Sequence, residues 1–223
     1  MTKVSTTFAG QSVLDKIAYH TVRTIVTVFC RVWCRMTIDG RENFPESGPF
    51  ILAPTHRSII DTPVASGVYR KRMRFMGADK WWSNHYFGNL LTALGGFPVS
   101  RGSADREALK RCIAVIEGGE PLVLFPEGER KSGPVVRPLF DGAAYVAVKT
   151  GVPIIPVGIG GSERVMPKGA KFIYPRKLYV IVGAPMSAAP TESSKEQRAA
   201  ARQLTADLHV ELQRLFDTAQ ARA

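Results

Sequence analysis

The strongest constraint on the fold is an alternation of short apolar runs with longer stretches of helical period. The runs are Met36–Asp39, Phe50–Ala53, Arg74–Met76, Phe97–Val99, Leu122–Phe125, Ile154–Ile159 and Lys177–Val182. Each is too short for a buried helix and the right length for a strand. Between and after them lie helical stretches at about Asp61–Tyr69, Asn84–Leu94, Asp105–Glu117, Gly142–Lys149 and Ser194–Ala219. Strands and helices in this order build an α/β layer fold, with parallel strands joined by crossover helices. Pro121, Gly151 and Pro153 stand where helices should stop and strands begin. A chain of 223 residues fills one core. We therefore expect a single domain with a central, mostly parallel sheet flanked by helices. Met186–Ser194, rich in Ala, Pro and Ser, is linker-like and leads to a stripe of Leu204, Leu208, Leu212 and Leu215. The expected organisation is an N-terminal helical segment 1–36, a main domain 37–186, and a C-terminal helix in 187–223 docked on it.

Within the first segment Ala18, Val22, Ile25, Phe29, Val32 and Met36 recur at spacings of three and four. Lys16, His20, Arg23, Thr27 and Arg31 fall on the other side. This is the pattern of an amphipathic helix. It is not a membrane span, because the uncharged stretch between Arg23 and Arg31 is seven residues, against the ~18–20 a bilayer needs. An apolar stripe flanked by arginines and Trp33 fits a helix lying in a membrane interface. It equally fits a helix packed on the main domain, and one helix can do both.

The charge narrows the partners. Lys and Arg exceed Asp and Glu by 11, which favours anionic surfaces and phosphorylated substrates. The basic residues are dispersed and carry no nucleic-acid-binding signature, so no nucleic acid is expected. Cys30, Cys34 and Cys112 form neither a disulfide framework nor a metal-ligand spacing. No signal peptide is visible. These features suit the cytoplasmic face of a membrane, with peripheral or monotopic attachment.

The candidate chemistry begins at His56-Arg57-Ser58-Ile59-Ile60-Asp61. Histidine takes a proton near neutral pH, and a carboxylate on its other ring nitrogen fixes the tautomer. Five residues along a helix separate two side chains by about 140°. His56 must then sit on the loop or first turn, with Asp61 reaching back from the helix. Ser58 has no Gly-x-Ser-x-Gly context and reads as a cap or loop residue. Three further blocks follow: Gly95-Gly96-Phe97-Pro98-Val99-Ser100-Arg101, Leu122-Val123-Leu124-Phe125-Pro126-Glu127-Gly128-Glu129-Arg130, and Val152-Pro153-Ile154-Ile155-Pro156-Val157.

In this order the four blocks resemble the 1-acylglycerol-3-phosphate acyltransferases, a glycerolipid acyltransferase family, over about residues 35–185. The resemblance implies His56 as general base with Asp61 as its orienter. It implies Arg101 and Arg130 as phosphate contacts, a task for which a planar guanidinium is suited. Glu127 and Gly128 would belong to the acceptor site. There Glu127 either meets an acceptor hydroxyl or holds a site arginine; an ion pair with Arg130 or Lys131 is the plainer alternative. Gly128 would let the backbone approach a ligand closely. Two departures leave the acceptor open: Thr55 stands where the family usually has Asn, and Lys131 where it usually has Ser.

The activity implied is transfer of a fatty acyl group from acyl-CoA, or acyl carrier protein, to the hydroxyl of lysophosphatidic acid. Phosphatidic acid is the product, and no acyl-enzyme, metal or cofactor is required. The same chemistry on glycerol 3-phosphate or another lysophospholipid, or lipid hydrolysis, are the alternatives. Three accessory features remain. Lys80 follows a strand and can add charge at the site. Tyr69-Arg70-Lys71-Arg72-Met73-Arg74 is a cationic run suited to anionic lipid, coenzyme A phosphates or a solvated turn. Trp81-Trp82 and His85-Tyr86-Phe87 cluster aromatics that suit an acyl-chain groove, a membrane interface or core packing.

Overall fold

The computed structural model describes residues 12–99, 106–189 and 193–223. In chain order its elements are α1 (Val13–Trp33), β1 (Thr37–Asp39), β2 (Ile51–Pro54), α2 (Asp61–Val68), β3 (Arg74–Ala78), α3 (His85–Ala93), β4 (Gly96–Val99), α4 (Arg106–Glu117), β5 (Leu122–Val123), α5 (Gly142–Thr150), β6 (Ile154–Gly160), α6 (Ser162–Val165), β7 (Tyr179–Val182) and α7 (Ser194–Arg222). The strands form one sheet in the order β1-β7-β6-β2-β5-β3-β4. Every pairing is parallel except β6 with β7. This is the mostly parallel α/β sheet that the alternation of runs predicts.

Both sheet faces are covered, which is why the strands read as continuous apolar runs rather than alternating ones. Ile51, Ala53, Leu122 and Ile154 point to a core shared with α4, α5 and α7. Leu52, Val123, Ile155 and Val157 point to a second core shared with α1 and α2. The C-terminal helix lies unusually close to β6. A Cβ on Gly158 would stand 2.5 Å from the Leu215 carbonyl group, and one on Gly160 would stand 2.2 Å from the Ala219 carbonyl oxygen. The missing side chains let the helix backbone rest on the strand, and Leu204, Leu208, Leu212, Leu215 and Phe216 are all buried there.

Two differences from the sequence expectation concern element limits. The fifth strand pairs only at Leu122–Val123, because the chain bends into the loop beyond, although Leu124 N still donates to Leu52 O (2.9 Å). Helix α6 is four residues long, too short to show a period in sequence.

Helix α1 differs in a more telling way. Its domain-facing side is Tyr19, Arg23, Thr27 and Cys30. The Arg23 guanidinium donates to the carbonyls of Ser66 and Tyr69 (2.9 and 2.6–2.9 Å) at the end of α2. Thr27 lies where Gly67 has no side chain. Two residues of the expected polar face are therefore turned inward. The apolar stripe of Ile25, Phe29 and Val32, joined by Leu14, Ile17 and Val28, faces outward, with Ile25 63% and Val32 74% exposed. Among the described residues no helix is long and apolar enough to cross a membrane.

Candidate active site

The five mutually parallel strands β2 to β6 end at one edge of the sheet, where ligands bind in open α/β folds. His56 follows β2, Lys80 follows β3, Phe125–Arg130 follows β5, and Met166 follows β6 and α6. Arg101, just beyond β4 in the chain, lies outside the described residues.

His56 sits on the loop before α2, and Asp61 opens that helix. Asp61 Oδ2 lies 3.1 Å from His56 Nδ1. The same oxygen accepts the backbone N–H groups of Arg57 and Ser58, both at 2.6 Å. Asp61 is fully buried. Three donors on one oxygen fix the carboxylate, and the carboxylate fixes the imidazole. The ring also stacks on Phe125, with centroids 4.0 Å apart and planes at 24°. With Nδ1 on Asp61, Nε2 is the nitrogen available to a substrate hydroxyl. Ser58 Oγ donates to Met166 O (2.7 Å), so its hydroxyl secures the next loop instead of pairing with the histidine.

Glu127 is buried and turned inward, so its carboxylate is not open to an acceptor. Arg57 Nη1 donates to both its oxygens, at 2.8 and 2.7 Å. His56 N donates to Oε1 (3.1 Å) and Arg137 N to Oε2 (3.2 Å). Glu127 therefore holds an arginine, but it is Arg57, not Arg130 or Lys131. The Arg57 guanidinium reaches further, to His56 O (3.2 Å) and Val135 O (3.1 Å), and lies over the Phe216 ring at 4.8 Å. This buried pair ties the His56 loop to the loop after β5. Sequence reasoning missed it. The available signal was a carboxylate in an apolar block, which needs a buried cation, and Arg57 is next to His56.

The missing side chain of Gly128 makes room for Phe140. The glycine adopts φ +72°, and a Cβ there would meet the Phe140 ring at 2.6 Å. Its N–H closes a turn on Phe125 O (3.0 Å). Arg130 is exposed and lines a narrow cleft with Ser58, Lys131 and Lys168. Lys131 pairs with Glu129 (2.6 Å), and its N–H donates to His56 O (2.9 Å). Thr55 is buried; its Oγ1 accepts from Ile159 N (3.0 Å), clasping the end of β2 to β6. Lys80 is exposed beside the Trp81 ring (5.4 Å), on the same sheet edge but in no described contact with the dyad.

The accessory patches divide. In the cationic run Arg74 is buried and bonded to Glu120, and Arg72 donates to Ala93 O (3.2 Å), which leaves Arg70 and Lys71 in solvent. Trp82 packs inward and donates to Thr92 Oγ1 (3.0 Å), whereas Trp81, Tyr86 and Phe87 are exposed. All three cysteines are buried. Burial pushes the Cys30 and Cys112 thiols up to about 12, with Cys34 adding to the effect on Cys30. Among the described residues no three His, Cys, Asp or Glu side chains gather as a metal ligand set.

The chain resembles known proteins in sequence and in fold. The family model described as Acyltransferase matches residues 35–160, more than half of the chain, and the chain belongs to that family. It is 28% identical over 167 residues to the 1-acyl-sn-glycerol-3-phosphate acyltransferase of Bacillus subtilis, covering 73% of this chain and 80% of that protein. It is 30% identical over 141 residues to the chloroplastic 1-acyl-sn-glycerol-3-phosphate acyltransferase BAT2 of Brassica napus, covering 61% of this chain and 40% of that longer protein. The crystal structure of the 1-acyl-sn-glycerophosphate acyltransferase PlsC from Thermotoga maritima has the same fold. It aligns with a TM-score of 0.69 at 24% identity, over 89% of this chain and 81% of that one.

Proposed function

We propose that this member of the acyltransferase family transfers a fatty acyl group from acyl-CoA to the free hydroxyl of lysophosphatidic acid, giving phosphatidic acid in phospholipid biosynthesis. The observation that carries the reading is the His56–Asp61 pair at 3.1 Å on the sheet edge, which leaves Nε2 with no hydrogen-bond partner among the described residues. His56 Nε2 takes the hydroxyl proton as the acceptor oxygen attacks the thioester carbonyl. Asp61 stabilises the imidazolium that forms. The tetrahedral intermediate then collapses, the C–S bond breaks, and the imidazolium returns its proton to the leaving thiolate. No acyl-enzyme is needed because the thioester is already activated. The Ser58 hydroxyl, bonded to Met166 O, supports its reading as a loop residue and not a nucleophile.

Arg130 supplies positive charge for the acceptor phosphate, with Lys80 on the same strand-end edge as a partner and Arg101, which follows β4 in the sequence, as another. The outward apolar stripe of α1 and the net charge of +11 support attachment to an anionic membrane surface, on its cytoplasmic face. Release of thiol from acyl-CoA, with and without lysophosphatidic acid and with the lipid product identified, tests the reading. Acceptor-dependent release with phosphatidic acid as product is expected. Acceptor-independent release would make the protein a thioesterase, and turnover of acyl carrier protein alone would correct the donor.

A further inference from the structure

The loop after α6 approaches the dyad from the side opposite Arg130, and no motif of the sequence points to it. Strands β5 and β6 flank β2 on its two sides, so the loops that follow them flank the His56 loop. Each is fastened to it. On the β5 side Lys131 N donates to His56 O (2.9 Å). On the β6 side Met166 O accepts from Ser58 Oγ (2.7 Å). The two are also joined across the gap, where Gly133 N donates to Glu163 Oε2 (3.3 Å). Between them lies the cleft lined by Ser58, Arg130, Lys131 and Lys168.

Lys168 is held there by local structure. Ala170 N donates to Pro167 O (3.0 Å), closing a turn in which Gly169 takes φ +85°, the value its position requires. Tyr174 N donates to Val165 O (2.8 Å) and closes the loop behind the turn. Trp33 of α1 donates its indole N–H to Ile173 O (2.8 Å), anchoring the far side. The charges in the cleft are unequal. Lys131 is neutralised by Glu129. Arg130 and Lys168 have no carboxylate partner among the described residues. A phosphate monoester carries about −1.5 to −2 charges at neutral pH, more than one cation balances.

We infer that Lys168 is a phosphate-binding, specificity-determining residue that completes the acceptor site from the β6 side, opposite Arg130. The inference rests on the acceptor reading above and adds to it a residue outside the four motif blocks. The loop also joins the site to the membrane helix, since one end is bonded to the dyad segment and the other to Trp33.

The test uses the full chain and compares wild type with Lys168→Ala and Lys168→Arg. Loss of one solvent-accessible, charge-assisted contact should raise KM for lysophosphatidic acid about five- to tenfold. kcat should stay within about twofold, and kinetics with a matched monoacylglycerol should not move. Lys168→Arg should recover most of the loss. Melting should be unchanged, because the side chain is exposed and has no ion-pair partner among the described residues. Calorimetric titration with glycerol 3-phosphate reads the same contact without turnover, and Lys168→Ala should weaken it by a similar factor. Equal binding by the two proteins, no binding by either, or equal kinetic losses on both acceptors would overturn the assignment. If wild type binds glycerol 3-phosphate through Lys168 yet does not acylate lysophosphatidic acid, the acceptor reading fails and the phosphate contact stands.

Discussion

Removing one member of the Arg57–Glu127 pair should damage stability, and removing both should separate stability from activity. In Arg57→Met the Glu127 carboxylate keeps two backbone N–H donors, from His56 and Arg137, but loses its only counter-charge among the described residues, in a site closed to water. An uncompensated buried charge of this kind costs about 3–5 kcal/mol. In a chain of this size each kcal/mol moves Tm by about 2–4 °C, so a fall of roughly 6–20 °C is expected. The double variant Arg57→Met with Glu127→Leu removes both charges, and such replacements are often neutral or stabilising. Its Tm should return close to wild type. Its turnover should not. His56 N–H would have lost its acceptor and its carbonyl one of two donors, and a shift of about 1 Å in a catalytic group costs on the order of 10²-fold in rate. Circular-dichroism melts and acceptor-dependent thiol release measure the two quantities. A double variant with wild-type kcat would show that the pair only stabilises the fold. A single variant melting within about 2 °C of wild type would show that it does not do even that.

Other expectations follow from the same geometry. His56→Ala should lower kcat by about 10²–10⁴ with little change in acceptor binding, and Asp61→Asn should do comparable damage by releasing the ring; near-normal turnover in either would remove the dyad from the mechanism. Arg130→Ala should raise KM for a phosphorylated acceptor and leave a matched unphosphorylated one unaffected, and equal losses would make the arginine structural. Ile25→Asp with Phe29→Asp should abolish sedimentation with anionic liposomes at an unchanged Tm, since both side chains face outward; a collapsed melting transition would mean the stripe is packed. Cys30 and Cys112, pushed up to about 12 by burial, stay as protonated thiols at pH 8. A thiol-reactive disulfide should therefore label none of the three cysteines in the native chain and all of them in guanidinium, and rapid native labelling would contradict the burial.

Much of the fold was legible because a buried parallel strand leaves a local trace. Ile154–Ile159 and Phe50–Ala53 read as strands since both sheet faces are covered, and the helices between them are long enough to show a period. The dyad was legible for a similar reason: five residues fix the reach from a loop to the first turn of a helix. What sequence could not show are contacts between blocks distant in the chain. Glu127 lies 70 residues from Arg57, and its nearest cations in sequence, Arg130 and Lys131, both point elsewhere. The inward turn of Arg23 was hidden too, because its partners are the Ser66 and Tyr69 carbonyls at the end of α2, and backbone acceptors carry no sequence signature. Lys168 belongs to no apolar run and no motif; only the strand order, which sets β6 beside β2, brings it to the cleft.

The same logic makes the C-terminal helix part of the active-site support. Its approach to the sheet depends on Gly158 and Gly160, which carry no chemistry themselves. Once α7 is seated there, Phe216 lies beneath the Arg57 guanidinium. One turn earlier Gln213 accepts from Val136 N (2.7 Å) and donates to Pro134 O (3.1 Å). His209 Nε2 lies 2.9 Å from Val136 O, a contact in which the ring nitrogen must be the donor. The 134–136 segment is thus held by α7 and by Arg57, which donates to Val135 O. That segment closes the loop whose earlier residues are Glu127 and Arg130. A side chain at Gly160 would lift α7 from the sheet, and the displacement would pass through Phe216 and Gln213 to Arg57 and then to the His56 backbone. The His56 loop is thus braced by a helix more than 130 residues further along the chain, through Phe216 and Arg57.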